Sequence, residues 1–577
     1  MQRAPAGQSH ERGVQRRIQL RVCPDGACYA ERKRVVYAVT SIVMQTLPGA
    51  ARPTPAVESK SNAAHRLPLL LGLFSALAVL VCLAGRACSN PLGQDQAWYL
   101  YAARLILSGV TPYGPQLLET NPPPILWFSE LPVLLARFLA ITPALAFQLL
   151  VCVLALGSGA WCYRLLRRSA MQARALFPSA FACAATAILL SPAILTYEDF
   201  GQREHLFVIL ALPFLLARIA NVQRIPLFER AALGLIAGIA VCLKPQELLV
   251  LLSAELFVAL STRTLRRLVA PEILALVLTG TTCATAVRWL TPLYLTQVVP
   301  LLINTYWAYG PFSASTLAVQ ILPLYFAILT TVAVLWLLQR QLRGALIIAG
   351  LLTCSVGASL AYEAQHTNWS NHLLPCRTFL LLAIAWLVIE ACTALAPSLP
   401  RKQPLRLGAS VAFALLACLL IPLTAARHTE APADPLDPYP PGSTVYVFST
   451  TVTHFATINA HHLVWASRFP CLWLLSAILQ NEEPQPPRPA VFKSLPQPTL
   501  SNLATLQRHS TTEDLSRWQP SIVLVRHCTA ENSCQGLEGR NVDLLAWFLR
   551  DPDFASVWSH YRQQTSTPAY DVYTRLP

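Results

Sequence analysis

Residues 67–87 read LPLLLGLFSALAVLVCLAGRA, and after a short polar break residues 94–104 read QDQAWYLYAAR. The first run carries no charge before Arg86 and is as long as the roughly 20 residues a helix needs to cross a bilayer. His65 and Arg66 precede it, and no small-residue cleavage site of convincing form follows, so it reads as a retained signal anchor rather than a cleaved signal peptide. The second run has an acid, Asp95, at its head and helical apolar spacing behind it. Tyr99, Ala102, Ala103 and Ile106 fall on one face. A membrane span opening into an acid-headed outer loop is the pattern that the rest of the chain extends.

Working outward, apolar blocks recur near 143–163, 176–195, 204–219, 231–243, 246–261, 268–290, 314–338, 344–361, 373–395 and 407–426. The expectation is about eleven transmembrane helices. Composition agrees: 54% of the 577 residues are hydrophobic and 13% charged, with mean hydropathy +0.45. A soluble domain carries about 25% charge. These values exclude a soluble cytosolic enzyme, a disordered protein and a collagen-like chain. The net charge of +15 does not indicate nucleic acid, because the basic residues sit in short clusters between apolar blocks.

Those clusters set the topology. Block 124–140 contains Glu130, Pro132 and Arg137 and reads as an interface helix or re-entrant segment. Loops 164–174, 218–230, 263–267, 340–343 and 401–406, with fifteen Lys and Arg, then all face the cytoplasm. The acid-bearing loops 88–123, 196–203 and 362–372 and the tail face outward. The domain reading is a cytoplasmic, disordered leader over 1–64, in which Met44 is an alternative start to Met1. A multi-span domain over 65–426 follows, with a first outer loop over 88–142, and then an extracytoplasmic α/β domain over 427–577. Within that last domain 443–449 and 521–525 read as strands, 542–549 as a helix, 570–573 as a strand and 481–498 as a loop. Bacterial inner (plasma) membrane is the expected location.

Most cysteines, among them Cys82, Cys152, Cys183, Cys242, Cys354 and Cys418, lie in apolar blocks, where a free thiol behaves as a small hydrophobe. Cys528 and Cys534 are close in a polar segment, and a disulfide between them is one of two open readings. No spaced ligand set reads as zinc, so metal use stays unassigned.

Chemistry-bearing residues gather in the outer loops. Asp95 stands in the first turn of its helix, as helix cap or as functional carboxylate. Residues 197–205, YEDFGQREH, put Glu198, Asp199, Arg203, Glu204 and His205 between two spans, where such groups are costly unless paired or wet. Lys244 has no acid nearer in sequence than Glu247, which favours an anionic ligand over a structural pair; a snorkelling interface lysine is the bland alternative. Residues 362–372, YEAQHTNWSNH, bring Gln365, His366 and His372 beside aromatics.

The order of these features resembles the GT-C class of integral membrane glycosyltransferases, which use polyprenyl-phosphate sugars and include protein mannosyltransferases and lipid A aminoarabinose transferases. The resemblance covers about residues 67–395. It rests on one span, Asp95, an aromatic helix ending in Gly109 and Pro112-Tyr113, and Asn121-Pro122-Pro123. Many members have Asp-Glu and Lys-Pro-Pro where this chain has Asp95-Gln96 and Asn121-Pro122-Pro123. The resemblance implies a catalytic acid/base role for Asp95, and we add Asp199 and Glu198 as further catalytic candidates. A polyprenyl-phosphate donor needs cations at the departing phosphate, for which Arg203, Lys244, His366 and His372 are candidates. Tyr99, Tyr113, Glu204, His205 and Gln365 are candidates for substrate contacts. The implied partners are the lipid donor, an extracytoplasmic acceptor (glycan, lipid or protein) and the bilayer, with no nucleic acid. No cofactor is implied with certainty, and a divalent cation is left open. The alternatives are a secondary transporter and a non-enzymatic envelope-assembly protein. A transporter would place its ionisable residues near the bilayer midplane.

Overall fold

The computed structural model describes residues 76–169, 177–192, 196–222, 224–311, 314–340, 342–367, 369–394, 434–484 and 488–577. The leader 1–64, Met44, loop 401–406 and block 407–426 lie outside these residues. Residues 65–577 form one compact unit.

The helical part begins with α1 (Ala76–Ser89) and α2 (Gln94–Leu107), which meet at a 63° bend. There follow α3 (Pro123–Leu139), α4 (Pro143–Arg167), α5 (Phe177–Leu190), α6 (Arg203–Ile219), α7 (Leu227–Leu243) and α8 (Leu248–Thr262). Then come α9 (Pro271–Leu290), α10 (Val299–Thr305), α11 (Ala314–Leu338), α12 (Ala345–Gln365) and α13 (Leu374–Ala394). Among the described residues, the apolar blocks between 143 and 394 are helices within a few residues of the expected limits, because a backbone in lipid must satisfy its own hydrogen bonds. α9 and α11 turn Leu278, Trp289, Phe326 and Trp336 outward at 68–74% exposure, an apolar surface suited to lipid.

The span count is coarser than the sequence suggested. Six described helical segments are long and apolar enough to cross a bilayer, and a seventh is reached if α1 and α2 form one broken span. α5 has 14 residues and α6 and α7 have 17 each. At 1.5 Å per residue α6 and α7 reach only about 26 Å, short of the roughly 30 Å hydrocarbon core.

The C-terminal segment carries a mixed five-stranded sheet, ordered β2-β1-β3-β5-β4. Its strands are β1 (Thr444–Phe448), β2 (Val464–Trp465), β3 (Ile522–Arg526), β4 (Tyr561–Ser566) and β5 (Tyr570–Arg575). β1 pairs parallel with β2 and β3, while β5 pairs antiparallel with β3 and β4. Its helices are α14 (Phe455–Ala460), α15 (Leu475–Glu482), α16 (Gln497–Trp518), α17 (Leu544–Leu549) and α18 (Pro552–Trp558). The expected strands and helix appear as β1, β3, β5 and α17. Cys528 and Cys534 are joined by a disulfide.

This segment packs directly on α2. Phe455 packs against Trp98 in a tilted pair with ring centroids 4.7 Å apart, Asn459 Nδ2 donates to the Ala97 carbonyl at 2.7 Å, and the Trp465 N–H donates to Tyr101 Oη at 2.8 Å. Every residue of α2 from Gln96 to Ala103 is therefore buried. The one-faced helix expected from the spacing is instead covered on all sides. The site lies at its N-terminal end.

Candidate active site

A cavity of about 530 Å³ opens where the start of α2, the loop 196–203, the aromatic turn after α10 and three loops of the sheet-bearing segment converge. Two glycines let these pieces approach. A Cβ on Gly93 would stand 2.6 Å from the Glu198 carbonyl oxygen. Gly201 has φ +80°, and a Cβ there would stand 2.4 Å from the Phe147 ring. Only glycine meets both demands at Gly201. The turn it makes delivers Gln202 and Arg203 to the cavity wall.

Asp95 lines the cavity. Its Oδ2 accepts a 3.0 Å hydrogen bond from Gln202 Nε2, while no side chain caps α2. The carboxylate, in the first turn of α2, is thus also held by a side chain 107 positions away. Asp199 and Glu198 line the same cavity. Burial raises the Asp199 carboxyl to about 6, although Thr196 Oγ1 donates to it at 2.5 Å. Burial also raises Glu198, with the neighbouring Asp95 charge adding to the effect.

Arg203, 8% exposed, faces the cavity without a hydrogen bond or ion pair among the described residues. Asp95 and Glu204 act on it only at a distance. A buried guanidinium is normally paired, since an unpartnered charge costs several kcal/mol to desolvate. Tyr99 Oη and Trp473 Nε1, also on the lining residues, are buried and unpartnered. The cavity wall therefore presents a cation and two donors with nothing in the protein to bond, a pattern suited to an anionic, oxygen-rich ligand.

Lys244 stands differently. Its ammonium lies 2.5 Å from Glu204 Oε1 and 3.1 Å from His372 Nε2, and His372 Nε2 is 3.2 Å from the same carboxylate oxygen. All three side chains are at most 2% exposed, and none lines the cavity. Lys244, which has no acid nearer in sequence than Glu247, does have an acidic partner in space: Glu204, 40 positions earlier in the chain, at the head of α6. Arg203, with three acids nearby in sequence, forms no ion pair with any described residue.

Other candidates also fall outside this cavity. His205 Nδ1 accepts from the Gly201 N–H at 2.9 Å and its Nε2 bonds the Leu189 carbonyl at 2.5 Å, so it braces the Gly201 turn. Tyr113 is fully buried and donates to the Asn121 carbonyl at 2.7 Å. Gln365 donates to the Ala361 carbonyl of its own helix at 2.9 Å. His366 borders a separate, mostly apolar cavity of about 500 Å³ with Tyr325, Tyr362 and Glu363.

Several lining residues were not singled out from sequence. Tyr306, Tyr309 and Trp369 form an aromatic wall with centroids 5.7–5.8 Å apart. Glu119 is completely buried; it accepts from Trp98 Nε1 and from the backbone and side chain of Asn121 at 2.7 and 2.6 Å. Burial raises its carboxyl, and those bonds partly offset the effect. Glu119 thereby fixes Thr120 and Asn121 in the wall. Thr450–Thr453 and Gln535 close the cavity from the sheet-bearing segment. Among the described residues, no group of three or more His, Cys, Asp or Glu is placed to hold a metal ion.

A solved structure resembles this chain. It is the crystal structure of ArnT from Cupriavidus metallidurans bound to undecaprenyl phosphate. The likeness covers 87% of this chain and 97% of that one, at 14% sequence identity and a TM-score of 0.46. No family model and no curated protein matches the chain. So loose a likeness assigns no residue a role, and the roles below are argued from the cavity itself.

Proposed function

We propose that the chain is a membrane glycosyltransferase that moves a sugar from a polyprenyl-phosphate donor to an extracytoplasmic acceptor hydroxyl. The observation that carries the reading is the cavity that holds a carboxylate, Asp95, and an unpaired guanidinium, Arg203, on one wall between apolar helices and the sheet-bearing segment. In this reaction the acceptor oxygen attacks the sugar C1, the bond from C1 to the phosphate oxygen breaks, and polyprenyl phosphate departs with the electron pair. Asp95 takes the hydroxyl proton as general base. Arg203 stabilises the charge growing on the departing phosphate, in a site where low water content strengthens the interaction. Gln202 orients the base, and Glu198 and Asp199 are further acids within reach of the acceptor side.

The aromatic wall of Tyr306, Tyr309 and Trp369 suits the apolar face of a sugar ring. An isoprenoid donor also accounts for a site at helix ends, since Arg203 opens α6 and Asp95 stands in the first turn of α2. A transporter reading gains no support from these positions, which are far from helix centres. The test is incubation of purified, lipid-reconstituted protein with radiolabelled polyprenyl-phosphate sugars and envelope extract. Label should leave the lipid and enter an acceptor; no label moving from any polyprenyl-phosphate sugar would refute the reading.

A further inference from the structure

About 22 Å along the α6 axis from Arg203, at 1.5 Å per residue, Arg218 opens onto a second cavity, of about 450 Å³. In the orientation given by the basic loops this is the cytoplasmic end of the helices. Arg218, Arg224, Arg230, Arg266, Arg267 and Glu272 line it. The acids there are already engaged. Arg218 holds the Glu255 carboxylate through Nε and Nη2 at 2.7 and 2.6 Å and Glu272 through Nη1 at 2.6 Å. Arg230 Nε takes the other Glu272 oxygen at 2.7 Å, and Arg267 donates to Asn221 Oδ1. No described carboxylate forms an ion pair with Arg224, Arg266 or Arg267, so the cavity holds a surplus of positive charge on a rigid, buried ion-pair floor.

The rim is apolar. Leu227, Phe228, Leu265 and Val269 are 68–71% exposed beside these cations. Arginines that only orient a chain in the membrane can extend singly into water and need no cavity. A concave cationic cavity on loops that also expose apolar side chains matches a ligand whose phosphate sits at the headgroup level and whose chains run along the helices. We propose that this cavity binds the phosphate headgroup of an anionic phospholipid, at the opposite end of the helix bundle from the Asp95 cavity. The inference stands on the membrane setting and not on the glycosyltransferase reading.

The full chain, purified in detergent, is titrated with phosphatidylglycerol, phosphatidylcholine and inorganic phosphate, with bound molecules counted by native mass spectrometry. Phosphatidylglycerol should bind saturably and phosphatidylcholine should not. The double variant Arg224→Gln/Arg266→Gln should bind about 30-fold more weakly, the equivalent of roughly 1 kcal/mol for each arginine at an anionic membrane surface. Both residues are exposed and outside the ion-pair floor, so thermal unfolding of the variant in phosphatidylcholine should match the wild type. Arg340→Gln, on another basic loop, should leave binding unchanged. Unaltered binding in the double variant, or an equal loss in Arg340→Gln, would overturn the site. Inorganic phosphate binding as tightly as phosphatidylglycerol would overturn the lipid assignment.

Discussion

Replacing Arg203 with Gln separates the cation that lines the cavity from Lys244, which is paired with Glu204. Arg203 is 8% exposed and pairs with no described protein group, so its loss leaves no protein charge stranded. The ligand-free variant should unfold at no lower temperature than the wild type. The donor complex is another matter. Removing one partner of a desolvated charge pair costs about 2–5 kcal/mol, and each 1.4 kcal/mol is tenfold in affinity. Donor affinity should therefore fall at least about 30-fold, and up to a few thousand-fold. Arg203→Lys, which keeps the charge but not the planar fork, should recover part of the loss. The assay is titration of polyprenyl-phosphate sugar into protein held in nanodiscs, with thermal unfolding measured on the same samples. Unchanged donor affinity in a folded Arg203→Gln protein would refute the assignment of this guanidinium to the phosphate.

Lys244→Ala should behave in the opposite way. Breaking the buried Lys244–Glu204 pair should cost about 3–5 kcal/mol of stability, seen as a lower unfolding temperature before any donor is added; an unshifted midpoint would show that the pair is not a structural one. Asp199 has a folded-state pKa of about 6, above its unfolded value near 3.8, so its contribution to stability is largest below the lower value and is lost as pH rises toward 6. Asp199→Asn should remove that dependence and stabilise the protein at pH 7 and above, which unfolding measured across pH 4–8 would show. In topology, alkaline phosphatase fused at Thr429 should be active and at Arg401 inactive; the reverse would move the Asp95 cavity to the cytoplasmic side.

The helices were legible because lipid as solvent makes long apolar blocks nearly unambiguous, and β1 and β3 because short β-branched runs between turn residues have few other fates. α16 was missed: it is a largely polar surface helix whose start falls inside a proline-dotted stretch read as loop. Apolarity is visible in a sequence and helix length is not, as α6 and α7 show with 17 residues each. In the site, Asp95 was readable from its place at the head of the first outer loop. Its Gln202 partner, the Lys244–Glu204–His372 cluster and the Tyr306–Tyr309–Trp369 wall join residues from distant helices. Charges adjacent in sequence at a helix start point in different directions, so Arg203 and Glu204 enter different environments although they are neighbours. That directional information belongs to packing, and local spacing does not carry it.

The central claim assigns different tasks to two groups in one cavity: Asp95 to the proton and Arg203 to the phosphate. The most direct measurement is donor affinity and transfer rate together for Asp95→Asn in lipid. The account predicts donor affinity close to wild type, with transfer reduced about 10²–10⁴-fold by loss of the general base. A variant that transfers sugar at the wild-type rate, or that loses donor affinity as Arg203→Gln does, would contradict it.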